Sequence, residues 1–119
     1  MSEGRYFKEK ELVCKCGCGL NNMNVKLVHM LDRTRDLVGN PIYLSSGSRC
    51  AEHNKNENGS PTSSHLKGLA ADIRISNGTE RYKVVSALLL VGFSRIGISE
   101  NFIHVDLDMD KTLPIIWGY

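Results

Sequence analysis

Long apolar runs are missing from this 119-residue chain: none approaches the roughly 18 residues that a membrane-crossing helix needs. Concentrated charge is missing too. With 15 Lys and Arg against 13 Asp and Glu the formal net charge is only +2, and no basic block marks a nucleic-acid-binding surface. The opening residues MSEGRYFKEKE hold no apolar stretch and no small-residue cleavage site, so no secretory signal is expected. Internal repeats and low-complexity tracts are absent. So is any C-x-x-C pair, which argues against a thiol–disulfide redox enzyme and against a paired zinc clip. What remains is ordinary, with 41% hydrophobic and 24% charged residues. That is enough apolar content to fold, and the length suits one domain, residues 1–119, with residues 1–6 expected to be loose. The slight excess of positive charge would favour a polyanionic substrate such as a cell wall.

The clearest helix signal spans Asn24 to Val38, where Leu27, Met30, Leu31, Thr34, Leu37 and Val38 recur at steps of three and four. Gly39 stops it and Pro41 blocks continuation. A short segment, Phe7 to Val13, precedes it, and the Gly-rich CKCGCG run between the two is predicted irregular. Pro41 to Ser46 reads as a short strand, and Arg49 to Glu57 as one or two helical turns. Residues 56–64, NENGSPTSS, form a surface loop of turn formers. Leu69, Ala71, Ile73 and Ile75 alternate with Ala70, Asp72 and Arg74, the period of a strand. Asn77-Gly78 turns the chain, and Thr79 is the expected cap of a second helix running to Val91. Two further strands, Phe93 to Ile98 and Phe102 to Leu107, flank a tight turn at Glu100-Asn101. The apolar tail TLPIIWGY is expected to pack back as an edge strand. The fold class is α+β: a small single domain with a central, mostly antiparallel sheet flanked by two main helices.

Histidines occur at 29, 53, 65 and 104 and differ in context. His29 lies inside the long helix and reads as a surface or packing residue. Asp72 and His104 each sit on an otherwise apolar strand, where a carboxylate or imidazole is costly unless paired or bound to a cation. His65 comes seven residues before Asp72, at the end of the polar loop. Two imidazoles and a carboxylate, with a fourth position left for water, form a common catalytic zinc shell. The plainer alternative is polar residues lining a solvated strand face.

The run Ser63-Ser64-His65-Leu66-Lys67-Gly68-Leu69-Ala70-Ala71-Asp72 resembles the S-x-H-x-x-G-x-A-x-D signature of the zinc D-Ala-D-Ala carboxypeptidases, the M15 metallopeptidases. Phe102-Ile103-His104-Val105-Asp106 is similar to the closing H-x-D strand of that family's smaller branch. Ser46-Gly47-Ser48-Arg49-Cys50-Ala51-Glu52-His53-Asn54 resembles its S-G-x-R-C-x-x-H-N segment, and the CKCGCG opening before a long helix also matches. The resemblance runs from about Phe7 to Leu107. It implies a hedgehog/D,D-peptidase-like fold and one catalytic zinc ion held by His65, Asp72 and His104. It also implies that Arg49 stabilises an oxyanion or holds a substrate carboxylate, and that Ser63 helps to position substrate. Gly68 and the Ala70-Ala71 pair are expected to be small so that backbone can pass close to the metal.

One position departs from the pattern. Several family members carry an acid three residues before the second zinc histidine, and here that residue is Asn101. The candidates for the missing base are Glu100 at the turn, Asp106 on the rigid strand and His53. Asp106 is expected to be essential in some role, either as the base or by orienting a ligand histidine or Arg49. His53 reads more simply as a structural hydrogen-bonding residue. The cysteines at 14, 16, 18 and 50 admit free thiols, one disulfide to Cys50, or a four-thiolate zinc site, with free thiols the plainest reading. Asp106-x-Asp108-x-Asp110 fails the EF-hand pattern, since Lys111 stands where glycine is needed, and reads as an acidic, solvated strand end.

The expected function is zinc-dependent hydrolysis of peptidoglycan stem peptides at a bond involving D-amino acids, as a carboxypeptidase or an endolysin-type endopeptidase. The partner is the stem peptide, with no nucleic acid and no membrane insertion, and a monomer suffices. Without a signal, action on the wall would follow release through a separate pore, as in phage lysis. The competing reading is a non-catalytic zinc-containing binding module of the same fold.

Overall fold

Residues 6–57 and 59–119 are described by a computed structural model. In chain order the elements are α1 (Glu9–Leu12), α2 (Val25–Val38), β1 (Leu44–Ser46), α3 (Ala51–Asn56), a 3-10 turn (Ser64–Lys67), β2 (Ala70–Arg74), α4 (Gly78–Val91), β3 (Arg95–Ile98), β4 (Phe102–Asp106) and β5 (Ile115–Gly118). The apolar stripe of α2 is buried through Leu27, Val28, Met30 and Leu31. Asn24 caps that helix by accepting from the Leu27 N–H at 3.1 Å, and it ends at Gly39 as expected.

The cap of α4 differs from the expectation. Asn77, not Thr79, accepts from the Glu80 N–H at 2.8 Å. Asn77 is extended and stands outside the helix, where its side chain reaches back to an otherwise unpaired amide, whereas Thr79 is already inside the first turn. Tyr6 also departs from its expected looseness: its N–H donates to Asp32 Oδ1 at 3.1 Å and the Arg35 guanidinium lies 4.4 Å from its ring centroid. The rest of the segment expected to be loose, residues 1–5, lies outside the described residues.

Among the described residues, five strands form one sheet in the order β1-β2-β4-β3-β5. The first three pairings are antiparallel and β5 adds to β3 in parallel. The tail does become an edge strand. Strand alternation then separates two faces. On one, Ala71, Ile73, Ile96, Ile103 and Val105 are fully buried and join Leu27, Leu31, Val84 and Leu88 of α2 and α4 in the core. Each Ile, Leu or Val among them contributes about 1.5–3 kcal/mol by leaving water. The other face carries polar groups. One cross-strand row reads Ser46, Asp72, His104, Gly97 and Trp117, each paired in register with the next. Packing on the first face makes this register rigid, because a slip by one residue would invert both faces.

Candidate active site

The polar row places Asp72 and His104 side by side, and the 3-10 turn brings His65 over them. Gly68 makes that turn possible. Its φ is +70°, and a Cβ there would stand 1.9 Å from the Asn22 carbonyl oxygen. The reason for its small size is therefore contact with the segment before α2, not passage of backbone near His65, Asp72 and His104. Ser63 caps the turn, its Oγ accepting from the His65 N–H at 3.2 Å.

Nitrogen by nitrogen, the two imidazoles are assigned by their neighbours. His65 Nδ1 donates to the Gly47 carbonyl at 2.9 Å, and His104 Nε2 donates to Asp106 Oδ2 at 2.8 Å. In the neutral rings that leaves His65 Nε2 and His104 Nδ1 bare. Both face Asp72 Oδ1, at 3.3 Å and 3.0 Å, and the three ligand atoms all lie within 4.8 Å of one another. All three residues are at most 9% exposed. Lone pairs converging in so dry a place require a positive charge between them, a proton or a metal. The titration of the groups reflects the same demand. Burial alone would raise Asp72, yet the His104 and His65 hydrogen bonds hold it well below the usual carboxylate range. Burial would lower His104, but Asp106 and Asp72 raise it above an ordinary imidazole. Two bare imidazole nitrogens and an ionised carboxylate fit a zinc ion with an open position.

The cluster lies in a cleft of ≈ 390 Å³. Arg49 lines it, donating to Asn54 Oδ1 at 3.0 Å and Ser46 Oγ at 3.2 Å, with Nη2 3.8 Å from Asp72 Oδ2. Its Nε is buried and has no hydrogen-bond partner among the described residues. Ser63 also lines the cleft, as do Lys111 and Phe102. Asp106 is 1% exposed. Besides His104 it accepts from Arg95 Nε at 2.7 Å and from the Asp108 N–H at 3.1 Å. It therefore orients His104, and its ion-pair partner is Arg95 rather than Arg49. Burial would raise Asp106, but these partners hold it below the ordinary carboxylate value.

Glu100 stands exposed at the β3–β4 turn, its backbone carbonyl accepting from Arg81, and is not among the cleft-lining residues. His53 is half-buried in α3, its N–H donating to Cys50 Sγ at 3.3 Å, and is likewise outside the lining. His29 is exposed on α2.

Several lining residues escaped the sequence reading. Trp117 of β5 packs with its ring 5.5 Å from that of His104 and 5.1 Å from the Arg95 guanidinium. It covers Gly97, where a Cβ would come within 2.6 Å of the indole. Tyr119 follows it into the cleft, and Glu57 stands on the rim, exposed. No motif marks these residues. Trp117 and Tyr119 are signalled only by the alternation in Ile115-Ile116-Trp117-Gly118-Tyr119, which puts them on one face of a strand.

Asp108 is a correction. Expected on a solvated strand end, it is 1% exposed; of that acidic run only Asp110 is open, its side chain 86% exposed. Asp108 accepts from Ser64 Oγ at 2.8 Å and from Lys67 Nζ at 3.1 Å, so it clamps the turn bearing His65 to the end of β4. Burial would raise its carboxyl, but Ser64 and Lys67 bring it down to about 2. A carboxyl lowered on folding stabilises the fold above its unfolded value and loses that contribution as pH falls through its folded one. The stability gap between the wild type and Asp108→Asn, on the order of 1–2 kcal/mol at neutral pH, is expected to close between about pH 4 and about pH 2. Denaturant titrations across that range measure it; a gap independent of pH would refute the clamp.

A family model described as Peptidase M15 matches residues 5–106. No curated protein matches the chain significantly. The matched span contains His65, Asp72, His104, Arg49 and Asp106 and stops before Trp117 and Tyr119.

Proposed function

Because the chain belongs to the peptidase M15 family of zinc metallopeptidases, we propose that it hydrolyses peptidoglycan stem peptides at a bond involving D-amino acids. It either trims a terminal D-Ala or cuts within the stem as an endolysin does. The observation that carries this reading is the convergence of His65 Nε2, Asp72 Oδ1 and His104 Nδ1 beside the half-buried Arg49, whose Nε has no partner among the described residues. When bound there, zinc supplies Lewis-acid polarisation of the scissile carbonyl and activation of water near neutral pH. Everything else falls to the chain. Arg49 offers a planar, permanently charged fork to the substrate carboxylate or the developing oxyanion. Ser63 orients the peptide with its hydroxyl. Arg95 and Lys111 add positive charge to a cleft of a size that suits a short acidic peptide, and Phe102, Trp117 and Tyr119 supply its apolar wall. No helix among the described residues is long and apolar enough to cross a membrane.

Among the described residues, three carboxylate side chains line the cleft. Asp72 serves as a ligand and Asp106 is held by His104, Arg95 and the Asp108 amide. Glu57 is engaged by no ion pair among the described residues, and it is the proton acceptor in this proposal. The two roles separate experimentally. Asp106→Asn is expected to weaken zinc affinity about 10–100-fold, because His104 loses the carboxylate that fixes its tautomer. Glu57→Gln is expected to cut kcat about 10²-fold at unchanged zinc affinity. Titration against a competing chelator, alongside turnover, reads both; equal zinc affinities in Asp106→Asn and wild type would remove the orienting role.

The function itself is tested by mass spectrometry of muropeptides digested with and without a metal chelator, since product masses identify the bond. A second reading, a non-catalytic binding module, is favoured by one feature: Asn101 stands where several relatives carry an acid. Zinc binding with no turnover of monomeric or cross-linked stems would select it.

A further inference from the structure

Away from the cleft, the four cysteines converge. Cys14, Cys16, Cys18 and Cys50 each place Sγ within 4.8 Å of the other three. Residues on alternate positions of an extended chain stand ~7 Å apart, so the C-x-C-x-C run must be folded up to achieve this. Two glycines, Gly17 at φ +91° and Gly19 at φ +85°, bend it. Bonds from the Gly17 N–H to the Cys14 carbonyl, 3.3 Å, and from the Cys14 N–H to the Leu20 carbonyl, 2.8 Å, close the loop. The irregular spacing that counted against a metal clip in the sequence is thus met by a tight knuckle.

The sulfur distances discriminate among the three possible states. Cys14 and Cys16 are 3.4 Å apart and Cys16 and Cys50 are 3.6 Å apart. A disulfide needs ~2.05 Å. Four sulfurs around zinc at ~2.3 Å stand ~3.8 Å from one another by tetrahedral geometry, close to what is found. Backbone donors already point at two of the sulfurs: the Cys50 N–H at Cys14, 3.4 Å, and the His53 N–H at Cys50, 3.3 Å. Such donors stabilise thiolate charge. Four free thiols would have no reason to gather with amides aimed at them.

We infer that Cys14, Cys16, Cys18 and Cys50 form a second, structural zinc site of tetrathiolate type. All four positions are taken by sulfur, so no place is left for water and the site is not catalytic. Its effect is on the segment beside it. Cys50 directly follows Arg49, and the Ser48 N–H donates to the Leu12 carbonyl at 2.9 Å. Gly47, whose carbonyl holds His65, is packed so close that a Cβ would meet the Leu12 oxygen at 2.7 Å. The knuckle therefore ties the chain before α2 to the stretch that carries both Arg49 and the partner of His65.

The test is zinc content and thiol reactivity of the full chain, neither of which depends on peptidase activity. Purified with zinc, the wild type is expected to carry two ions per chain. The combined His65→Ala, Asp72→Ala and His104→Ala variant keeps one, and Cys16→Ser with Cys18→Ser loses one. Cobalt added to the cleft variant in place of zinc gives a thiolate-to-metal charge-transfer band. In the wild type a mercurial reagent displaces one zinc and leaves the other, so the result does not depend on any variant folding. The inference is overturned if all four cysteines of the zinc-loaded wild type alkylate freely without a chelator. It is equally overturned if mass spectrometry finds Cys50 in a disulfide, or if the mercurial displaces no metal.

Discussion

Alanine at His65, Asp72 or His104 is expected to reduce hydrolysis of a stem peptide to below about 10⁻³ of the wild-type rate. The expected loss is this large because the three ligand atoms act as a unit. Removing one imidazole leaves Asp72 facing a single nitrogen, and two ligands do not hold zinc against competition from water. The scaffold is expected to survive. Asp72 and His104 lie on the polar face of the sheet, whereas Ala71, Ile73, Ile103 and Val105 on the opposite face fill the core. Circular dichroism should therefore be unchanged while activity and cleft-bound zinc disappear together. Stripping the wild type with a chelator should reproduce the loss, and added zinc should reverse it. Activity persisting in all three single variants would show that the reaction is not run by this cluster.

Arg49→Ala is expected to lower kcat about 10²–10³-fold, the usual cost of removing a donor aimed at an oxyanion. Arg49→Lys should recover only part of this, because a point charge replaces a fork that simultaneously binds Asn54 and Ser46. The shape of the loss identifies the role. A fall in kcat at constant KM marks an interaction made in the transition state, while a rise in KM alone marks a grip on the substrate carboxylate. Full activity in both variants would end the assignment. Its buried Nε, without a partner among the described residues, argues against a purely structural arginine, whose buried donors are ordinarily satisfied.

Much of this was legible along the chain because it is local. The stripe from Leu27 to Val38 carries the helical period in its own residues and falls in α2, and the alternation from Leu69 to Ile75 carries the strand period and contains β2. Polar residues at Asp72 and His104, amid apolar neighbours, announced a site because burial without a partner is expensive. The same reasoning failed for Asp108. Asp106, Asp108 and Asp110 alternate as on the solvated side of a strand end, and the burial comes from Ser64 and Lys67, 44 and 41 residues away. The cap of α4 was misread by two residues for a smaller reason: both Asn77 and Thr79 are good caps, and only the backbone angles decide which stands outside the helix.

What the sequence determined by itself is the helical period of α2, the alternation of β2 and the cost of burying Asp72 and His104, since periodicity and the cost of burying charge are properties of neighbouring residues; His65 was marked by the resemblance of its segment to the M15 signature. Tertiary structure alone decided which elements meet. The register sets Asp72 against His104 and Gly97 against Trp117, and the parallel addition of β5 to β3 brings an indole to the cleft. The fold also closes a loop around four sulfurs that are up to 36 residues apart. Contacts of that kind depend on how strands pair and helices pack over long separations, and no short stretch of chain encodes them.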